Sequence, residues 1–220
     1  PYVAQDAPKR LLVLGGSQGA QPLNEVLPRA IARTRETAPR FTVVHQAGRD
    51  RDAAVREAYA RLGVTDVEVV PFLDDVAERM ASADLVVARS GAVTVAEISA
   101  IGRAAVFVPF PHAADDHQAK NALSLAEIGG AVCIRQEAAD EARLAIEIGG
   151  LLSDDVRRSK MADAAREHGK PRAAEDIATD LLDLARISVK RPREPHKTNG
   201  ATNGGSSRFT VASPARKEVS

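Results

Sequence analysis

The chain has a single cysteine, Cys133, in the apolar run AVCI. One thiol excludes a disulfide framework and points to a reducing, cytoplasmic compartment. Surplus charge is missing too. The 30 Lys and Arg balance the 30 Asp and Glu, so no global field recruits nucleic acid. No apolar run approaches the roughly 20 residues a membrane-spanning helix needs, and no signal-peptide pattern opens the sequence. An initiator methionine is absent, and a chain beginning at Pro1 is expected to be a fragment or a processed product. Its 220 residues suffice for one sizeable domain with its own core.

What is present is a regular alternation. Strands are expected at 10–14, 41–46, 67–70, 84–89, 104–110 and 131–134. Helices are expected at 20–35, 51–63, 74–82, 92–101 and 118–128, followed by helices at 138–152, 154–168 and 172–187. Continuous Val, Leu, Ile and Phe runs indicate strands covered on both faces, and strands alternating with helices indicate an α/β, doubly wound parallel sheet of Rossmann-like type. The expected organisation is a linker at 1–9, one domain at 10–188, and a tail at 189–220. From Lys190 on, the tail carries seven Lys and Arg against two Glu. It is rich in Pro, Gly, Asn and Ser and is expected to be disordered.

Four stretches carry the chemistry. GGSQGA (15–20) joins a strand to a helix. It lacks the Lys-Ser/Thr of a P-loop and the G-x-G-x-x-G spacing, yet its glycines and the Ser17 hydroxyl suit a phosphate oxygen. A tight turn needing glycine only for packing is the alternative. DLVVARSGAVTVAEISAIG (84–102) repeats strand, Ser-Gly, helix. Here Thr94 and Glu97 are spaced either for a capping box or for Glu97 to accept a ribose diol while the amides of 92–94 face a phosphate. FVPFPHAADDHQAKNA (107–122) places His117, Gln118 and Asn121 where amides and imidazole offer the donors and acceptors sugar hydroxyls require. Its His112, Asp115, Asp116 and His117 match no zinc spacing, and no metal or cofactor is expected. In VVPFLDDVAERMASAD (69–84), Asp74 is a candidate helix cap, and Phe72 and Leu73 are read either as an apolar anchor under the helix start or as a site where the Leu73 backbone pairs with a uracil edge beside Phe72. His45 sits inside a strand and is expected to be structural. No Ser or Cys nucleophile pairs with a His/Asp set.

Over Arg10–Arg186 these motifs, with HQAG (45–48), occur in the order seen in the MurG family of glycosyltransferases, and the chain resembles the C-terminal, donor-binding half of that family. The resemblance implies a two-domain GT-B architecture. The implied activity is inverting transfer of N-acetylglucosamine from UDP-GlcNAc to the C4 hydroxyl of the muramyl sugar of lipid I, giving lipid II in peptidoglycan synthesis. It places the enzyme peripherally on the cytoplasmic face of a bacterial membrane and serves cell-wall biogenesis and division. Gly16, Ser17 and Gln18 would meet the diphosphate and the Leu73 backbone the uracil. Ala92, Val93 and Thr94 would line the phosphates, and Glu97 would take the ribose hydroxyls. His117, Gln118 and Asn121 would meet the sugar, although the family often has two glutamines where this chain has His117–Gln118. The family's acceptor site, its candidate base and its membrane patch lie in an N-terminal domain with no counterpart here. This chain is therefore expected to hold no catalytic base and to be inactive alone. Another GT-B glycolipid transferase, or a non-catalytic nucleotide-binding module, are the alternatives.

Overall fold

The computed structural model describes residues 8–16, 20–170 and 172–184; Ser17, Gln18, Gly19 and the expected tail lie outside them. Two compact units follow one another along the chain, 1–175 and 176–220. Of the second, the described residues are the latter part of helix α8 (Ala173–Leu184).

The strands are β1 (Lys9–Leu14), β2 (Phe41–Gln46), β3 (Val67–Val70), β4 (Leu85–Ala88), β5 (Ala105–Phe107) and β6 (Val132–Cys133). They form one sheet in the order β3-β2-β1-β4-β5-β6, every pairing parallel. Alternate residues of each strand serve opposite faces. Leu11, Val13, Val43, Leu85 and Val87 join a core with α1 (Gln21–Thr34), α2 (Asp52–Arg61) and α6 (Glu141–Ser153). Leu12, Leu14, Val86 and Ala88 join the other with α3 (Val76–Ser82), α4 (Ala92–Ile101), α5 (His117–Glu127) and Ala165 of α7 (Asp155–His168). Both faces are thus dry, which explains the unbroken apolar runs.

Two expected boundaries move for local reasons. The strand expected to run to 110 ends at Phe107, because Pro109 has no N–H and the Arg89 guanidinium donates to the carbonyls of Val108 and Pro109, each at 2.9 Å. The short helix expected from Asp74 begins at Val76. Its N-cap is Asp75, whose carboxylate accepts from Arg79 Nε at 2.9 Å and caps nothing.

Order reverses between β1 and β4, which run side by side with Leu14 opposite Ala88. In open parallel sheets, ligands sit beyond the carboxyl ends of the strands at such a reversal. Every loop singled out above leaves one of those ends.

Candidate functional site

β1 and β4 deliver two glycine turns to neighbouring points on one edge. After Leu14, the Gly15 N–H donates to the Gln46 carbonyl at 3.0 Å, and Gly16 is exposed with φ +77°, a left-handed conformation that favours glycine. Helix α1 then opens at Gln21 behind Ala20, which offers no side-chain cap. After Ala88, the chain passes Arg89, Ser90 and Gly91 into α4, again with no side-chain cap. The first α4 bond runs from Val95 N to Gly91 O at 3.0 Å. The amides of Ala92, Val93 and Thr94 therefore have no acceptor within the helix, and they sit at the positive end of its dipole. By contrast, Asp140 and Asp154 cap α6 and α7 through the amides of Arg143 and Arg157.

The capping-box alternative for Thr94 and Glu97 is removed by the position of Gly91. Because Gly91 is the N-cap, Thr94 is the third helical residue, and the pair forms no capping box. Glu97 lies one turn on from Thr94, half-buried, with no hydrogen bond or ion pair among the described residues. Its two carboxylate oxygens are unspent.

The 107–122 stretch joins the same edge through cross-bonds. Ser90 is fully buried; its Oγ donates to the Gln118 carbonyl at 2.8 Å, and Asn121 Nδ2 donates to the Ser90 carbonyl at 3.1 Å. Gln118 Oε1 accepts from the Phe110 N–H at 3.0 Å, which turns the amide so that its NH2 group is the free end. His117 Nδ1 lies 2.8 Å from the Ala114 carbonyl, so Nδ1 carries the hydrogen and Nε2 is left outward as an acceptor. The preceding Asp115 and Asp116 both adopt positive φ, 50° and 53°, and Asp116 is tied to Arg135 at 2.9 Å. Among the described residues, no group of three or more His, Cys, Asp and Glu is arranged to hold a metal ion.

Leu73 follows β3, its side chain 5% exposed in the core that includes Val95 and Ile98 of α4. Neither its N–H nor its C=O makes a hydrogen bond among the described residues, and Phe72 beside it is 44% exposed. The structure thus gathers Gly16, Leu73, Ala92, Val93, Thr94, Glu97, His117, Gln118 and Asn121 at the carboxyl ends of β1, β3, β4 and β5. Ser17 and Gln18 lie outside the described residues.

Sequence reasoning passed over Arg89. Its guanidinium reaches the Val108 and Pro109 carbonyls and, at 2.7 Å, Gln136 Oε1, and it lies 5.7 Å from the Phe110 ring centroid. Burial lowers its pKa below the ordinary guanidinium value. All its hydrogen-bond partners are neutral oxygens, so its positive charge has no carboxylate beside it among the described residues. Partners that far along the chain leave no local spacing to read. His45 is as expected structural, fully buried between Tyr59 and Asn24, with burial lowering its pKa to about 3.

Residues 10–177 match the glycosyltransferase family 28 C-terminal domain. The chain belongs to that family. Over 192 residues this family 28 domain is 54% identical to the UDP-N-acetylglucosamine–N-acetylmuramyl-(pentapeptide) pyrophosphoryl-undecaprenol N-acetylglucosamine transferase of Sorangium cellulosum, covering 87% of the chain and 47% of that protein. It is 48% identical to the same-named protein of Aromatoleum aromaticum, covering 84% of the chain and 50% of the relative. The crystal structure of Acinetobacter baumannii MurG superposes with a TM-score of 0.75 at 36% identity, covering 82% of the chain and 51% of that structure. The family 28 domain therefore spans about half the length of the curated relatives it matches. Among its described residues, no helix is long and apolar enough to cross a membrane.

Proposed function

We propose that this chain is the donor-binding half of an inverting glycosyltransferase that moves N-acetylglucosamine from UDP-GlcNAc to the C4 hydroxyl of the muramyl sugar of lipid I, giving lipid II. The observation that carries the reading is the pair of uncapped helix N-termini at neighbouring strand ends, α1 after β1 and α4 after β4. Two sets of free amides sharing one crevice suit a pyrophosphate and, as UDP departs, stabilise the charge that develops on it.

Around that anchor the roles follow from chemistry. Gly16, Ser17 and Gln18 take the diphosphate from the β1 side, and the amides of Ala92, Val93 and Thr94 take it from the β4 side. Glu97 accepts the ribose diol. The Leu73 N–H and C=O, unpaired among the described residues, read the uracil edge, with Phe72 as a wall. His117 Nε2 and the Gln118 NH2 offer one acceptor and one donor to the sugar hydroxyls, with Asn121 close behind. The base that activates the acceptor hydroxyl belongs to a partner domain that also meets lipid I and the cytoplasmic face of the membrane. This chain alone binds donor and turns nothing over.

Calorimetry on the 220-residue chain with UDP-GlcNAc, UDP and ADP-glucose tests the reading. UDP and UDP-GlcNAc are expected to bind and ADP-glucose not. Glu97→Ala should weaken UDP binding by about tenfold or more, the worth of a charge-assisted hydrogen bond. The melting temperature should hold, because Glu97 has no partner to lose among the described residues. Equal affinity for the uridine and adenosine compounds, or an unchanged UDP affinity in Glu97→Ala, would refute it.

A further inference from the structure

A buried polar chain runs behind the diphosphate side of the crevice. Tyr59 of α2 is 1% exposed, His45 of β2 0% and Asn24 of α1 7%. Tyr59 Oη lies 3.0 Å from His45 Nδ1, and His45 Nε2 lies 3.1 Å from Asn24 Oδ1. Asn24 Nδ2 donates to the Ala47 carbonyl at 2.8 Å. That last bond orders the rest. With its NH2 group on Ala47, Asn24 turns its oxygen to His45, so Nε2 carries the imidazole hydrogen and Nδ1 accepts from the Tyr59 hydroxyl. Each group has one consistent orientation.

The chain ends on the backbone just beyond β2, next to the Gln46 carbonyl that receives the Gly15 N–H. It also ends in the first turn of α1, where the backbone ladder is thin. Pro28 carries no N–H, and the Asn24 carbonyl thereby loses the donor four residues on. Among the described residues, the other hydrogen bond from this turn to the 47–51 loop is the exposed one from Arg51 to Gln21 at 3.3 Å.

We infer that Asn24, oriented by His45, is a positioning residue for nucleotide binding: its bond to the Ala47 carbonyl holds the first turn of α1 where the free amides meet the diphosphate. Asn24 acts through the placement of α1 and touches no ligand. The inference rests on the UDP-sugar reading of the site.

The test is UDP calorimetry on the whole 220-residue chain, unaltered and as Asn24→Ala, Asn24→Asp and Thr34→Ala. Asn24→Asp keeps an acceptor for His45 and sets a carboxylate oxygen against the Ala47 carbonyl, so it breaks that one tie. Thr34, fully buried at the far end of α1, donates to the Ala30 carbonyl at 2.8 Å and supplies a matched loss of stability away from the site. At a temperature where circular dichroism shows each variant folded, both Asn24 variants should lose roughly tenfold or more in UDP affinity. Thr34→Ala should melt lower with its affinity unchanged. Asn24 variants that bind UDP as the unaltered chain does overturn the inference. So does an equal loss in Thr34→Ala, because affinity would then follow stability. Failure of the unaltered chain to bind UDP is a separate outcome that overturns the site reading and, with it, the inference.

Discussion

Acid should weaken this fold through His45 before it protonates most carboxylates. The imidazole is fully buried and held neutral, its pKa lowered by burial to about 3 from the ordinary 6.5. Between those values, the unfolded chain binds a proton that the folded chain refuses. The unfolded state therefore holds more protons, and stability falls as pH falls. His45 contributes its full share above pH 6.5 and loses it down to about pH 3. The slope is about 1.4 kcal/mol per pH unit, so pH 5 costs about 2 kcal/mol relative to pH 7. That is a large fraction of the ~5–15 kcal/mol that holds a typical domain together. The chain has no tryptophan, so urea unfolding is best followed by far-ultraviolet circular dichroism at pH 7, 6 and 5. The midpoint should fall by roughly 1 M urea across that range. His45→Gln keeps an amide donor and acceptor but cannot be protonated there. It should be less stable at pH 7 and flatter against pH. Parallel slopes for the two proteins would refute the claim that His45 is neutral and buried in the fold.

Two further perturbations separate stability from binding. Arg158 is fully buried and donates to the Leu151 and Leu152 carbonyls at the end of α6 and to Asp155. Arg158→Met should therefore cost about 2–4 kcal/mol and lower the calorimetric melting temperature by roughly 5–15 °C. Gly91→Asp should do the opposite at the site: a carboxylate at the α4 N-cap adds about a few tenths of a kcal/mol to stability while costing UDP about tenfold or more in affinity, read by thermal melts and calorimetry side by side.

The fold was legible because both faces of the sheet are dry. Runs such as LLVL and DLVVA leave no polar face to confuse with a surface strand, and each strand lies within a few residues of its expected place. The turns were legible because Gly15, Gly16, Ser90 and Gly91 are small or polar residues between an apolar strand and a helix. Illegible were the bonds that reach far along the chain. Arg89 finds Val108, Pro109 and Gln136, Ser90 finds Gln118, and His45 finds Asn24, and none of these pairs lies within a helical turn or a strand step of the other. The misplaced cap at Asp74 has another origin. Asp74 and Asp75 are equally good caps on paper, and the helix start followed the second of them. Thr94 and Glu97 show the same limit from the other side: their spacing allowed a capping box, and only the position of Gly91 one turn earlier removed it.

Gly91 differs from the glycines that the protein's own packing requires. Close-packed glycines answer to the protein itself. A side chain on Gly102, at φ +70°, would meet Arg166 Nε at 2.7 Å, and one on Gly169 would meet the Ser99 carbonyl oxygen at 2.7 Å. Gly91 has neither reason. Its φ of −60° and ψ of 149° suit any residue, and a Cβ there would find nothing within 4 Å among the described residues. A Ser or Asp would fit, and would cap α4 as Asp140 and Asp154 cap α6 and α7. A cap there would place its oxygen against the amide of Val93 or Thr94, the space an anion would fill. Among the described residues, neither backbone strain nor packing calls for glycine at this cap, which fits the donor-binding reading proposed above. On that reading, the two neighbouring helix starts, α1 likewise without a side-chain cap, would offer their amides to one pyrophosphate.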